Sequence, residues 1–477
     1  MPTLGPARKS VPERYPRLRL AIILIWAVFA AFSIYTMFED PPIDALCAVA
    51  IATMALLPGY LWADGRVRGL PILPIHILTL LWTYALPLVA GHPEIPLYDP
   101  EEIGSATACV LLYAILASAV WAVISVIPAP KRFRFRVLPM DRGFVFFTLA
   151  IFAGGVFTAL AIDQLIELDP GVYGIVRSIA LTLATIATFM LSIRLGRGEL
   201  SIRQRTLFLL AMLFFVVVQL ATLYLVASIV TLASALIGFT IGSRRVPWVT
   251  VVLALLIFGF LHNGKYAMRE RYWSEGQETA AKTWQIPGFF AEWIADGVRA
   301  LGTGREGLGD VPIFQRVSLM HLLLLEQRST PVAVPFLAGE TYAIIPRLLM
   351  PRIFDPDKPD SHQGTAMLNM QFGLQNAEDV QGTTIGWGQL NEGYANFGLA
   401  GVAGVAVFLG LLFGFVGRLT AGAPVMSLES MIGVTFCAVA LQTEFTMAVF
   451  ATVLFQSMVV LALIVPFLEL RRADETA

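Results

Sequence analysis

The sequence predicts an all-α, polytopic integral membrane protein with about 12 transmembrane helices, on three observations. Of 477 residues, 57% are hydrophobic and 14% charged, with mean hydropathy +0.73; a soluble domain carries about 25% charged residues. No soluble core of this length hides that much apolar surface, so the bilayer is the solvent for most of it. The apolar residues also fall in runs of spanning length, about 20 residues each. Finally, the basic residues between runs gather on one side only.

The first run, 18–37, follows Arg8, Lys9, Arg14, Arg17 and Arg19 and is long enough to stay in the membrane as an anchor. Runs at 43–62, 70–90, 103–127, 142–162 and 173–194 come next. The stretch 206–242 contains no charge and no proline. As a single helix it would be about 55 Å long, against a hydrocarbon core of about 30 Å. It therefore divides into 205–222 and 223–242, followed by 246–262. After a long polar interval come 395–416, 428–443 and 446–467, the last two separated only by Gln442, Thr443 and Glu444.

The order of charges supports this count. Arg66 and Arg68, Lys131 to Arg142, Arg194 to Arg205, Arg244 and Arg245, Arg418, and Arg471 and Arg472 fall on one side, with the N-terminal cluster. The positive-inside tendency makes that side cytoplasmic and places both termini there. The opposite loops are acidic, with Glu39, Asp40 and Asp44, then Glu94, Asp99, Glu101 and Glu102, then Asp163, Glu167 and Asp169. The chain thus reads as an N-terminal bundle of about nine helices over 1–262, a large outer loop over 263–394, and about three further helices over 395–477. Within the loop, Phe289, Phe290, Trp293, Ile294 and Val298 recur at helical spacing. They suit an interfacial helix or one packed on the loop's own core. The stretch 331–351, apolar but broken by Pro and Gly, suits a re-entrant segment where protein buries it.

A formal net charge of −1 points to no nucleic-acid partner. Cys47, Cys109 and Cys437 lie inside apolar runs and read as small buried hydrophobes, with neither a disulfide framework nor a CxxC site. The spans are nearly free of charge, which argues against ion-coupled transport and directs attention to the outer loop. That loop keeps Arg299, Arg305, Arg316, Arg328, Arg347, Arg352 and Lys358 against the positive-inside tendency. As a set they suit binding of an anion such as phosphate; singly, ion pairing within the loop explains each as well. The prolines of IPRLLMPRIFDPDKPDSHQG (345–364) would hold Arg347, Arg352 and Lys358 in place. In GWGQLNEGYANFGLAG (386–401), Glu392 and Asn396 stand just before a late helix, where outer water meets lipid. A carboxylate there can act as a general base or merely favour the positive end of a helix dipole. Asp355-Pro-Asp357 resembles a DxD metal site only superficially, and no metal is expected.

The arrangement of many helices, a large outer loop, Pro346-Arg347, Pro356-Asp357-Lys358-Pro359 and then Asn391-Glu392-Gly393-Tyr394-Ala395-Asn396-Phe397-Gly398 resembles the O-antigen and exopolysaccharide repeat-unit polymerases (Wzy-type). The motif likeness covers about 316–401 and departs from the family pattern at Asn391 and Met350. The resemblance implies a GT-C-like glycosyltransferase of the bacterial inner membrane that needs no cofactor. It would transfer a glycan from undecaprenyl pyrophosphate to a new lipid-linked repeat unit at the outer face, beside flippase and chain-length regulator proteins. Glu392 is then the first choice for the base and Glu340 the second, with His362 as a proton-transfer aid. Arg305, Arg316, Arg347, Arg352 and Lys358 would meet the pyrophosphate, and Tyr394 and Asn396 the glycan. The alternatives are a glycan ligase, another GT-C enzyme using a lipid monophosphate sugar, and a transporter or flippase.

Overall fold

The structure is a computed structural model that describes residues 15–37, 42–127, 135–273, 282–303, 313–350, 354–355, 357–382, 384–468 and 470–472. Arg305 and Arg352 lie outside the described residues. Among those described, 11 helices are long and apolar enough to cross a membrane, and a shorter apolar one accompanies them. In chain order they are α1 (Pro16–Thr36), α2 (Pro42–Ala63), α3 (Ile72–Val89), α4 (Pro100–Val126), α5 (Met140–Ile162), α6 (Pro170–Arg197), α7 (Ile202–Ala221), α8 (Leu225–Ser243) and α9 (Trp248–Tyr272). Between α9 and the last group the longer helices are α10 (Ile286–Thr303), α11 (Met320–Ser329) and α12 (Gln363–Gln371), with shorter turns of helix between them. The last group is α13 (Gly388–Leu419), the short α14 (Leu428–Ala440) and α15 (Met447–Ile464).

The charge-free stretch does divide. Leu223 turns with φ +60 between α7 and α8, so two helices replace one that would overshoot the bilayer. Helix association in lipid needs close backbones, and small residues provide them. Gly238 and Gly242 of α8 lie against Phe189 and Ile193 of α6, where a Cβ on Gly242 would sit 2.1 Å from the Ile193 carbonyl oxygen. Gly410 and Gly414 of α13 do the same against Ala117 and Ile124 of α4.

Two expectations for the 263–394 segment are refined. α9 runs on to Tyr272, beyond the predicted end at 262, and buries His262 and Lys265. On α10, Phe289 and Trp293 are buried against α9, with Trp293 Nε1 donating to the Leu261 carbonyl at 2.8 Å, while Ile294 and Val298 stay exposed. The amphipathic face of α10 is therefore met by protein at its aromatic centre. The stretch 331–351 forms no single re-entrant helix. It breaks at its prolines and glycine into turns and two short helices, Glu340–Ala343 and Ile345–Leu349, and Val332 is 95% exposed.

Candidate functional site

The segment predicted to enter a helix at 395 is already helical from Gly388, and α13 is broken inside. Phe397 (φ −142) and Gly398 (φ +60, ψ −144) leave helical geometry, and only glycine holds the latter conformation without strain. The piece 388–396 folds back on the piece 399–419. A Cβ on Gly401 would stand 1.9 Å from the Gly393 carbonyl oxygen, so the two pieces cross in backbone contact. The glycines of NEGYANFGLAG thus build a sharp elbow.

The elbow carries Glu392 into the protein interior. Its side chain is fully buried. The Met447 backbone N–H donates to Glu392 Oε2 at 2.5 Å, so Glu392 caps the positive end of α15 and not of its own helix. Thr341 lies beside the same carboxylate, and its hydroxyl oxygen accepts from Asn396 Nδ2 at 2.9 Å, while Glu392 Oε1 has no hydrogen-bond partner among the described residues. Asn396 is the joint of the assembly. Its Nδ2 also reaches the Glu392 carbonyl at 2.8 Å, and its Oδ1 accepts the Gly339 N–H at 2.9 Å. Two ladder-like bonds, Leu337 N–H to the Ala395 carbonyl and Ala338 N–H to the Asn396 carbonyl, clamp the 337–341 turn onto the elbow. Asn391 is held from the other side by Tyr84 Oη at 2.7 Å and by the Leu319 carbonyl at 2.9 Å.

Glu326 of α11 completes the interior and was not singled out from sequence. It is fully buried, and neither carboxylate oxygen has a hydrogen-bond partner among the described residues. Arg328, two residues on and so on another face of the helix, fixes this orientation. It binds Glu102 through two nitrogens at 2.7 and 2.5 Å, reaches the Leu97 carbonyl and stacks over Tyr98. Burial, and then the nearby Glu392 charge, push the Glu326 carboxyl well above the usual carboxylate range. The same two acids and, above all, burial raise the Tyr342 hydroxyl, whose oxygen has no partner among the described residues. The only signal in the sequence is a lone acid at the end of MHLLLLEQR.

The remaining predicted residues are not gathered around Glu392. Glu340 is exposed, one residue from Thr341, and His362 is exposed in the Asp360 turn. Tyr394 is half-buried and meets Phe336 edge-on. Arg347 binds Asp355 at 2.9 and 3.0 Å while its side chain stays 56% exposed. Lys358 donates to the Leu348 and Met350 carbonyls, and Arg299 pairs with Asp296. Arg316 is exposed and lies near enough to Glu444 to favour its charged form. Thus several of the expected anion-binding cations already have partners in their own segment. Asp355 of the DxD-like pair is engaged by Arg347, and among the described residues no group of three or more His, Cys, Asp or Glu could hold a metal ion.

A groove of about 470 Å³ opens beside Glu392. Tyr342, Phe397, Gly401, Phe408 and Met447 line it, and almost all of its wall is apolar. Met447 joins groove to carboxylate, since its N–H is the Glu392 donor. No protein-family model, curated protein or solved structure matches this chain.

The Glu326 environment gives a first prediction. A carboxyl raised on folding costs stability above its unfolded pKa and costs nothing below it. Glu326→Gln is therefore expected to stabilise the protein relative to wild type as pH rises from 5 to 8, by up to about 1.4 kcal/mol per pH unit. Thermal unfolding in detergent across that range reads this directly. A difference between the two proteins that stays flat with pH would refute the buried, proton-holding state of Glu326.

Proposed function

We propose that this protein is a GT-C-like glycosyltransferase that joins lipid-linked oligosaccharide repeat units at the outer face of a bacterial inner membrane, with both termini in the cytoplasm. The observation that carries the reading is the buried Glu392 carboxylate, bonded to the backbone N–H of Met447, which lines an apolar groove. The groove suits the isoprenoid chain of a polyprenyl pyrophosphate donor. Glu392 takes the proton of the acceptor sugar hydroxyl as that oxygen attacks the anomeric carbon and the pyrophosphate leaves. Two buried carboxyls this near each other do not ionise together. The Met447 N–H points at one Glu392 oxygen and no donor among the described residues at either Glu326 oxygen, which supports a charged Glu392 beside a neutral Glu326. Arg316 and Arg347, two exposed cations of the segment, neutralise the leaving pyrophosphate, Arg347 by exchanging Asp355 for it. Arg305, Arg352 and Lys358 remain supporting candidates for that contact, Tyr394 and Asn396 for the glycan, and Glu340 and His362 for proton transfer at the mouth.

The test is incubation of the purified protein with lipid-linked repeat units. The expected result is a ladder of products differing by one repeat. Transfer to a single non-repeat lipid acceptor instead would identify a ligase, and the absence of any transfer with substrate known to be active would refute glycosyl transfer.

A further inference from the structure

A second cavity, of about 930 Å³, lies at the other end of the bundle, where α2, α4, α6 and α8 finish and α14 begins. Arg66, Arg68, Arg197 and Arg418 line it, and among the described residues no carboxylate does. Asp64 and Glu199 pair with Arg66 and Arg197 without reaching the cavity wall. The wall is a built one. Trp62 Nε1 donates to the Gly69 carbonyl at 2.8 Å and the Leu70 N–H to Thr420 Oγ1 at 2.8 Å. Gly69 itself rests against the Gly417 carbonyl, where a Cβ would stand 1.9 Å away. The loop after α2 is thereby pinned to the end of α13 with its arginines in place. Ser125 also lines the cavity; it is 6% exposed, and its hydroxyl has no partner among the described residues. Beside it, Val126 and Ile127 form an exposed apolar lip.

We infer that this cavity binds a phosphate-bearing ligand, with the four guanidinium groups and the Ser125 hydroxyl as its polar contacts. Guanidinium forks match phosphate oxygens, and a wall with cations but no anions calls for such a partner. The volume exceeds what one phosphate fills, and the apolar lip at the bundle surface suits acyl chains, so an anionic lipid headgroup is the source favoured. The inference is independent of the Glu392 site.

Native mass spectrometry of the full-length protein, delipidated and then offered cardiolipin, phosphatidylglycerol or phosphatidylcholine, tests it. Cardiolipin and phosphatidylglycerol are expected to stay bound where phosphatidylcholine does not. Arg68→Gln combined with Arg418→Gln should weaken retention roughly thirtyfold, the combined effect of two arginines near an anionic headgroup. Ser125→Leu, which fills the cavity without removing charge, should weaken it too and serves where the double variant does not fold. Millimolar inorganic phosphate separates the sources. If it leaves lipid retention intact, the ligand is a headgroup; if it binds alone and displaces lipid, the ligand is a soluble phosphate. Equal retention of all three lipids, or undiminished retention in both variants, overturns the inference.

Discussion

Glu392→Gln should lower repeat-unit transfer by about 100-fold to 10,000-fold, the usual worth of a positioned base, while the protein still folds. Gln keeps an oxygen for the Met447 N–H that Glu392 now accepts, so the cap on α15 survives. What it cannot do is take a proton. The product ladder reads the first effect, and thermal unfolding together with the size-exclusion profile reads the second. Turnover close to wild type would leave Glu392 as a helix cap and nothing more. A general loss of folding would show that the negative charge itself holds α15 in place.

Gly401→Ala is expected to be among the most damaging single methyl additions at the described glycines. Its Cβ would stand 1.9 Å from the Gly393 carbonyl oxygen, a backbone atom that no rotamer change can move. Overpacking of a tight contact costs about 1–3 kcal/mol, and separation of the two pieces of α13 would also break the Asn396 bonds to Gly339 and Thr341. Loss of the ladder and a clear fall in unfolding temperature should therefore appear together. Gly259→Ala, where a Cβ meets nothing within 4 Å, is the control and should change neither. A Gly401→Ala protein with wild-type stability would mean that the elbow is loose.

Much of the fold was legible because the bilayer imposes a length. The divisions at Leu223 and at Gln442–Glu444 follow from how far a helix can run before it leaves lipid, and the second is also marked by polar residues. The elbow at Phe397–Gly398 was not legible. Its glycines read as small residues inside one apolar run, and the contact between Gly393 and Gly401 exists only in three dimensions. Glu392 and Asn396 were legible as polar residues at a helix entrance, but not their burial, since the cover is the 337–341 turn, distant in sequence. Glu326 was missed for the converse reason. A single acid near a helix end is ordinarily solvated, and only the Arg328 anchor on Glu102 turns it inward. The loop cations were legible as a set, but pairings such as Arg347 with Asp355 depend on how the prolines fold the segment.

The break in α13 also sets how a molecule can approach. The piece 399–419 is about 32 Å long at 1.5 Å per residue, which alone matches a hydrocarbon thickness of about 30 Å. The earlier piece is therefore surplus to the crossing, and the 337–341 turn roofs it. The apolar groove past Phe397 and Phe408 stays open to the surface. Under the proposed function, a long-chain lipid entering that groove would come alongside Met447, the backbone donor to Glu392, without leaving the membrane.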